Sequence, residues 1–534
     1  MSESHDAIIV GGGHNGLVCG AYLAKAGLDV LVLERRHLVG GAVVTEELWP
    51  GYKVSVASYV MALLQPRVIL DLELAKFGFE VIKPPPMFQP FPDGRCLIFW
   101  DDLTKTCEEI AKFSRKDAAA YPAYREHMRA VAAVARRFLW EIPPDPASRR
   151  LADVLDLLKF AWRFRDVREQ FYALYDTMTL SAYDLLGRWF ECDEIKAALG
   201  FYASGAGANS GIKTPGSAYV LLRPYIRDHE TAAGTWGFVR GGMGAISEAI
   251  AAAGRRHGMK VRTDAEVARI VVRNGLAAGV VLRSGEEIVG RAVVANAGAK
   301  TTFLRLVPAE ALDPTFIDDV RHIRDESTVF KVHLAVDKLP TYTAFDARYA
   351  GFPHPAQVRI GPSVDYIEQA YDESKYGRFS RRLLLSVMTP SLVDDTLAPR
   401  GRHVVSIMGA HAPYRLRDRS WDDARDELFD NTMDTWREFA PDADDGILHK
   451  QLLTPVDFER IFDLSGGHVH HGELSADQIF FRRPVARYAN YRTPVRNMYL
   501  CGASAHPGGG VTGVPGHNAA QVLLRDLGRQ KRRK

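Results

Sequence analysis

Residues Asp6 to Glu34 constrain this chain more than any other stretch. Ala7 to Val10 form an apolar run that reads as a buried strand. Gly11, Gly13 and Gly16 then complete G-x-G-x-x-G, and Leu17 to Ala26 read as a helix stopped by Gly27. A second apolar strand, Val30 to Leu33, ends at Glu34. Gly11 permits a tight turn, Gly13 lets backbone approach a pyrophosphate, and Gly16 lets helix and strand pack closely. The helix N-terminus, with His14 and Asn15, offers free N–H groups to phosphate, and Glu34 is placed for a ribose hydroxyl. The expectation is a Rossmann-type α/β nucleotide fold.

Arg35 and Arg36 follow Glu34. An arginine pair suggests a 2′-phosphate, but the Glu34 carboxylate would repel one. Gly40-Gly41 suggest a second close backbone approach to the dinucleotide. Gly241-Gly-Met-Gly244 opens a helix, Ala245 to His257. Val267 to Val272, Asn274-Gly275 and Ala277 to Leu282 read as a hairpin. Near the end, Asn497 to Cys501 read as a strand, followed by Gly502, Gly508-Gly-Gly510, Gly513 and a helix from about His517. This is a second strand–glycine loop–helix unit.

The expected organisation is discontinuous. Residues 1–75, 235–300 and 490–534 make the nucleotide domain, 76–234 a mainly helical substrate or lid region, and 301–489 an α+β substrate domain with a mixed sheet. Pro84 to Pro92 read as an irregular crossing. Long helices are expected over 118–140 and 151–186, and strands over 329–336, 383–388 and 403–409. Gly205 to Gly211 have the wrong spacing for a nucleotide loop and read as a substrate-side loop.

Composition narrows the function. A net charge of +3 over 534 residues points to neither nucleic acid nor an acidic partner. The polar start leaves no room for a signal peptide, and no apolar run is long enough for a membrane span, so a cytoplasmic protein is expected. Five scattered cysteines without C-x-x-C argue against a disulfide framework, a zinc site or a disulfide reductase. The aromatic residues of the helical stretch read as a helical core or as a lid over an apolar substrate, and the basic last six residues as a solvated tail or a weak contact with a membrane surface.

The opening Gly-Gly-Gly-His-Asn-Gly-Leu-Val-Cys-Gly resembles the phytoene desaturase-like flavoproteins of the glutathione-reductase and amine-oxidase superfamily. So do Gly241 to Gly244, Ser475 to Gln478 with Arg482-Arg-Pro484, and Tyr499 to Asn518. The branch is that of the pyridine nucleotide-disulfide oxidoreductase domain-containing proteins and the desaturase-like β-carotene ketolases. The resemblance spans essentially the full length. It implies non-covalent FAD, bound by Gly11, Gly13, Gly16, Glu34, Gly40 and Gly41, with Val267 at the adenine and Gly502 and Val511-Thr512-Gly513 by the flavin. One departure stands out: relatives carry arginine after the paired glycines, where this chain has Ala42.

A flavin carries the redox step, so the chain needs at most one base. Three histidines and an acid in Gly466 to Glu473 suggest a metal, but on a strand His471 would point away from His468 and His470, and no metal is expected. His471 matches a histidine that relatives carry and reads as a proton acceptor or orienting donor, or as a structural histidine. His506 should pass the flavin, with a loop-shaping hydrogen bond as the alternative. Tyr59 should line the pocket. The expected activity is dehydrogenation of an apolar small molecule, such as an isoprenoid or cyclic compound, with oxygen or a quinone as acceptor. The rivals are a carotenoid ketolase and a flavin-bound scaffold.

Overall fold

The computed structural model describes residues 4–205, 209–226 and 237–533. Residues 206–208 of the Gly205–Gly211 loop therefore lie outside the described residues. The opening unit folds as its pattern requires: strand β1 (Ala7–Val10), helix α1 (His14–Lys25) and strand β2 (Val30–Leu33). All eight strand residues are buried, as expected for a parallel sheet covered on both faces. Gly27, at φ +84°, ends α1.

Three distant pieces of chain complete this sheet. Its spatial order is Lys260–Arg262, β2, β1, Val293–Ala295, Met498–Leu500, and every pair is parallel. Helix α1 packs against Gly244–Arg256 and against the C-terminal helix Val514–Arg533. The Val267–Arg273 and Leu276–Leu282 hairpin forms as expected. Its turn residues Asn274 and Gly275 take φ +52° and +72°, the left-handed geometry of a tight two-residue turn.

The region between is helical but broken. Helix α2 (Arg115–Leu139) is capped by the Ser114 hydroxyl, which accepts from the Asp117 N–H. The expected long helix over 151–186 is instead α3 (Leu151–Arg163), α4 (Phe171–Thr179) and a short turn of helix, Ala182–Gly187. Phe164 stacks on Phe138 of α2 at 4.2 Å, and the chain leaves the α3 axis there. Helix α5 (Asp193–Gly205) follows.

A seven-stranded mixed sheet holds the other side. It contains β3 (Val329–Val336), β4 (Gln357–Ile360), β5 (Leu384–Met388) and β6 (His403–Ala410). Helix α6 (Trp421–Arg437) and strand β7 (Ile447–Leu453) come next. The order is β7, β3, β6, β5, β4, then Met87–Pro90 and Cys96–Phe99. The proline-rich stretch read as an irregular crossing is thus a hairpin on this sheet, with Pro90 at the end of its strand.

The sheet has two unlike faces. Phe330, Val332, Leu334, Ile407, Val387 and Val358 pack with Trp436 and Leu428 of α6 in one apolar core. The opposite face carries Lys331, His333, Ser386, Ser406 and Arg359, facing the rest of the molecule. Because Phe330 is fully buried, Phe330→Ala should lower unfolding free energy by about 3–5 kcal/mol in chemical denaturation. A loss under about 1 kcal/mol would contradict this packing.

Candidate functional site

The nucleotide loop has no spare volume. A Cβ on Gly16 would stand 2.3 Å from the Gly11 carbonyl oxygen, and one on Gly13 would stand 2.6 Å from Asn296 Nδ2. Gly40, at φ +120°, would place a Cβ 2.3 Å from the Val43 carbonyl. Gly40 donates its N–H to the Gly12 carbonyl at 2.8 Å, so the two glycine loops are stitched together. Glu34 is buried; one carboxylate oxygen accepts from the Gly12 N–H at 2.8 Å, the other from the Arg36 N–H at 2.9 Å. Gly13 precedes α1 without a side-chain cap, so the first N–H groups of the helix are open to an anion. His14 Nε2 and Asn15 Oδ1 are buried there without hydrogen-bond partners.

A cavity of roughly 1930 Å³, solvent at its open mouth included, runs from this loop into the molecule. Its outer end is lined by Glu34, Arg35, Glu266, Val267 and Phe462. Arg35 does not extend across the mouth; its Nη2 donates to the Ile461 carbonyl at 2.6 Å. Gly11, Gly13, His14, Asn15, Gly40, Gly41 and His471 line the middle. Tyr59, Leu63, Tyr202, Met408 and Val511 line the inner end. Five expected residues stand outside the lining: Gly16, Gly502, Thr512, Gly513 and His506. Gly502 packs on the Asn296 backbone, and Gly513 on Val68 and Leu64. The Thr512 hydroxyl accepts from the Val514 N–H at 3.2 Å, at the start of the C-terminal helix.

The histidines divide. His506 Nε2 lies 2.8 Å from the Phe138 carbonyl, and its ring meets Phe480 edge-on at 5.2 Å. It orders the end of α2 and does not reach the cavity, so the loop-shaping alternative is the one the geometry carries. The segment carrying His468, His470 and His471 is not a strand; His471 takes φ +55°, and its N–H donates to the His468 carbonyl. Nδ1 of His471 has no partner. Burial, then the Arg483 charge, lowers its pKa to about 4. Burial, then His471, lowers that of His14 to about 3. The two rings therefore lie within electrostatic reach, and His471 stands at the glycine-loop end of the cavity.

Lys331 and His333 were not singled out from the sequence. Their signal was a cation and a histidine two apart in an otherwise apolar strand. Both are fully buried. Lys331 Nζ donates to the carbonyls of Ser55 (3.0 Å) and Ala57 (3.1 Å), and the His333 ring pairs with the Val56 carbonyl at 2.9 Å. These bonds clamp the segment leading to Tyr59 onto the sheet. Lys331 Nζ also stands 4.9 Å from the Tyr59 ring centroid. Burial pushes the lysine pKa well down and the Tyr59 phenol well up, so both favour neutral forms.

A model of flavin-containing amine oxidoreductases matches residues 16–524. The chain belongs to that family. It is 38% identical to rat pyridine nucleotide-disulfide oxidoreductase domain-containing protein 2, over 99% of this chain and 94% of the relative. It is 29% identical to one of the limonene dehydrogenase subunits of Castellaniella defragrans, over 98% and 95%. An oxidoreductase structure from Methanosarcina mazei superposes with a TM-score of 0.61 at 16% identity, covering 97% of this chain and 99% of that one, and shows the shared fold. This member of the family is an FAD-dependent oxidoreductase, with desaturase-like flavoproteins among its relatives. The residues fit the cofactor: an uncapped helix start, orphaned polar atoms on His14 and Asn15, and a glycine cradle that any Cβ would fill.

Two outcomes follow. Gly16→Val should abolish FAD retention, read as flavin absorbance per protein, whereas Gly187→Ala, with open space around it, should retain it. Equal retention in both would contradict the cradle. The His14 and His471 pKa values lie below the unfolded value of about 6.5, so the unfolded chain binds more protons below that pH. Their contribution is complete above a pH of about 6.5 and is lost as pH falls toward about 4. His471→Gln should soften the acid loss of stability by about 1 kcal/mol per pH unit in this window; an unchanged profile would contradict it.

Proposed function

We propose that this protein is a dehydrogenase that removes two hydrogens from a mainly apolar small molecule. The supporting observation is the continuity of one cavity, from the glycine loops to a wall of Tyr59, Leu63, Tyr202 and Met408. In this reading Gly11, Gly13, His14, Asn15, Gly40 and Gly41 hold the pyrophosphate, with His471 opposite. Glu34 and Val267 hold the adenosine, and Val511 adjoins the ring system. Bound FAD supplies the two-electron acceptor. The lining carboxylates Glu34, Glu266 and Asp463 belong to the outer end, so the inner end offers no strong carboxylate base among the described residues. The proton leaving the substrate is released to water on the polar sheet face, where Ser406 and His333 each keep a buried atom without a protein partner. The chain carries one dinucleotide fingerprint, which supports oxygen or a quinone as reoxidant.

A lipid surface fits as the source of such a substrate. Leu151, Leu155, Leu158 and Trp162 form an exposed stripe along α3, and Phe171, Tyr172 and Tyr175 of α4 extend it; Leu151 is 75% and Tyr172 77% exposed. Exposed Arg149, Arg150, Arg165 and Arg168 flank it, as expected for an anionic interface. No helix among the described residues is long and apolar enough to cross a membrane.

Anaerobic mixing with apolar small molecules, monoterpene and carotenoid hydrocarbons and apolar carboxylic acids among them, should bleach the bound flavin with at least one and yield a product lighter by two hydrogens. Gain of oxygen would instead indicate a ketolase, and no bleaching would contradict the dehydrogenase reading. The holoenzyme should co-sediment with phosphatidylglycerol vesicles, and Leu158→Glu with Trp162→Glu should reduce this at least five-fold. Equal sedimentation of the double variant would overturn the lipid contact.

A further inference from the structure

The polar face of the seven-stranded sheet contains a cation that nothing in the described chain neutralises. Arg359 of β4 pairs in register with Ser386 of β5, Ser386 with Met408 of β6, and Met408 with Lys331 of β3. These four side chains lie on one face in one row, because neighbouring strands in register present the same side. Met408 lines the cavity. Arg359 rises from the same surface two strands away; neither it nor Ser386 is part of the cavity wall, and Arg359 stands against the ring of Tyr202, which is.

Its surroundings are aromatic. The guanidinium lies 4.1 Å from the ring centroid of Tyr202 and 5.8 Å from that of Phe201, both on α5. Nε is buried and has no hydrogen-bond partner. No carboxylate pairs with Arg359 among the described residues, although ion pairs hold many of the chain's other arginines. Tyr202 and Tyr59 both line the cavity, and Tyr59 lies within electrostatic reach of Arg359. The Ser386 hydroxyl, next in the row, is buried within hydrogen-bonding reach of Tyr59.

A guanidinium stays charged at any working pH. Half-buried without a counter-ion, it is poorly compensated by ring faces alone. Its forked donors match a carboxylate in a bidentate pair, and the neighbouring hydroxyls can complete the carboxylate's remaining acceptor sites. Its aromatic neighbours belong to the core that packs on this face of the sheet, and they cover ring faces of the guanidinium but supply it no acceptor.

We propose that the substrate is amphiphilic, an apolar body bearing one carboxylate, and that Arg359, with Tyr202 and Ser386, binds the carboxylate. This deepens the dehydrogenase reading, on which it rests: Tyr59, Leu63 and Met408 would hold the body of the molecule, and the arginine end would fix which carbon faces the flavin. A pure hydrocarbon would leave Arg359 unsatisfied, and so would be the poorer ligand.

Calorimetric titration of the FAD-loaded protein tests this with two acid and alcohol pairs, decanoate against decan-1-ol and benzoate against benzyl alcohol. At least one acid should bind ten-fold or more tightly than its alcohol. Arg359→Gln should lose at least ten-fold of the acid affinity while alcohol affinity and FAD content stay within two-fold; Arg359→Lys should recover part of the loss. Equal affinity for acid and alcohol, no binding of either acid, or unchanged acid binding by Arg359→Gln would overturn the proposal. Flavin content, read from the same samples, reports separately on the cofactor site. A flavin-loaded protein that binds acids but is bleached by no substrate would count against the dehydrogenase reading and leave the carboxylate site standing.

Discussion

The fold depends on how closely the Gly11 carbonyl and the Gly16 α-carbon approach each other. A Cβ at Gly16 would stand 2.3 Å from that oxygen, so helix α1 can start where it does only without one. This contact aims the uncapped end of α1 into the cavity. Asn296 wedges under the same loop, with Nδ2 where a Gly13 side chain would be and its backbone against Gly502. The opening unit and the pieces that end at Ala295 and Leu500 meet at this one place. The paired glycines at 40 and 41 close it from the other side.

A second set of contacts joins the two halves. Lys331 and His333 are bonded to three consecutive carbonyls, Ser55 to Ala57. Burying a lysine this deeply is unfavourable unless its donors are satisfied, and two backbone carbonyls satisfy them. The result is that Tyr59, just beyond the clamped segment, is fixed against the polar face of the seven-stranded sheet. The inner cavity therefore has one wall from each half: Val511 and the glycine loops on one side, Met408 and Tyr202 on the other.

What could be read from the chain beforehand follows from this division. The opening loop was legible because its constraint is local: three glycines, a strand and an acid lie within about 30 residues of each other. The Asn274-Gly275 hairpin was legible for the same reason. The row Arg359, Ser386, Met408 and Lys331 was not, since cross-strand register assembles it from four separate strands. Nor was the break after α3, which depends on Phe164 stacking on a residue of α2. The sequence left His506 open between the flavin and a loop-shaping hydrogen bond, because only the fold shows its ring turning back to the Phe138 carbonyl. His471 lies beside His14, an arrangement that needs a left-handed turn no sequence pattern signals.

The central claim is that one cavity holds the cofactor along its length, with the redox centre between the glycine loops and the polar sheet face. A crystal structure of the FAD-loaded protein tests it most directly. The adenosine should lie against Glu34 and Val267, the pyrophosphate over the start of α1, and the isoalloxazine between Val511 and Tyr59. An isoalloxazine lying outside that inner end, or phosphates away from the start of α1, would contradict it.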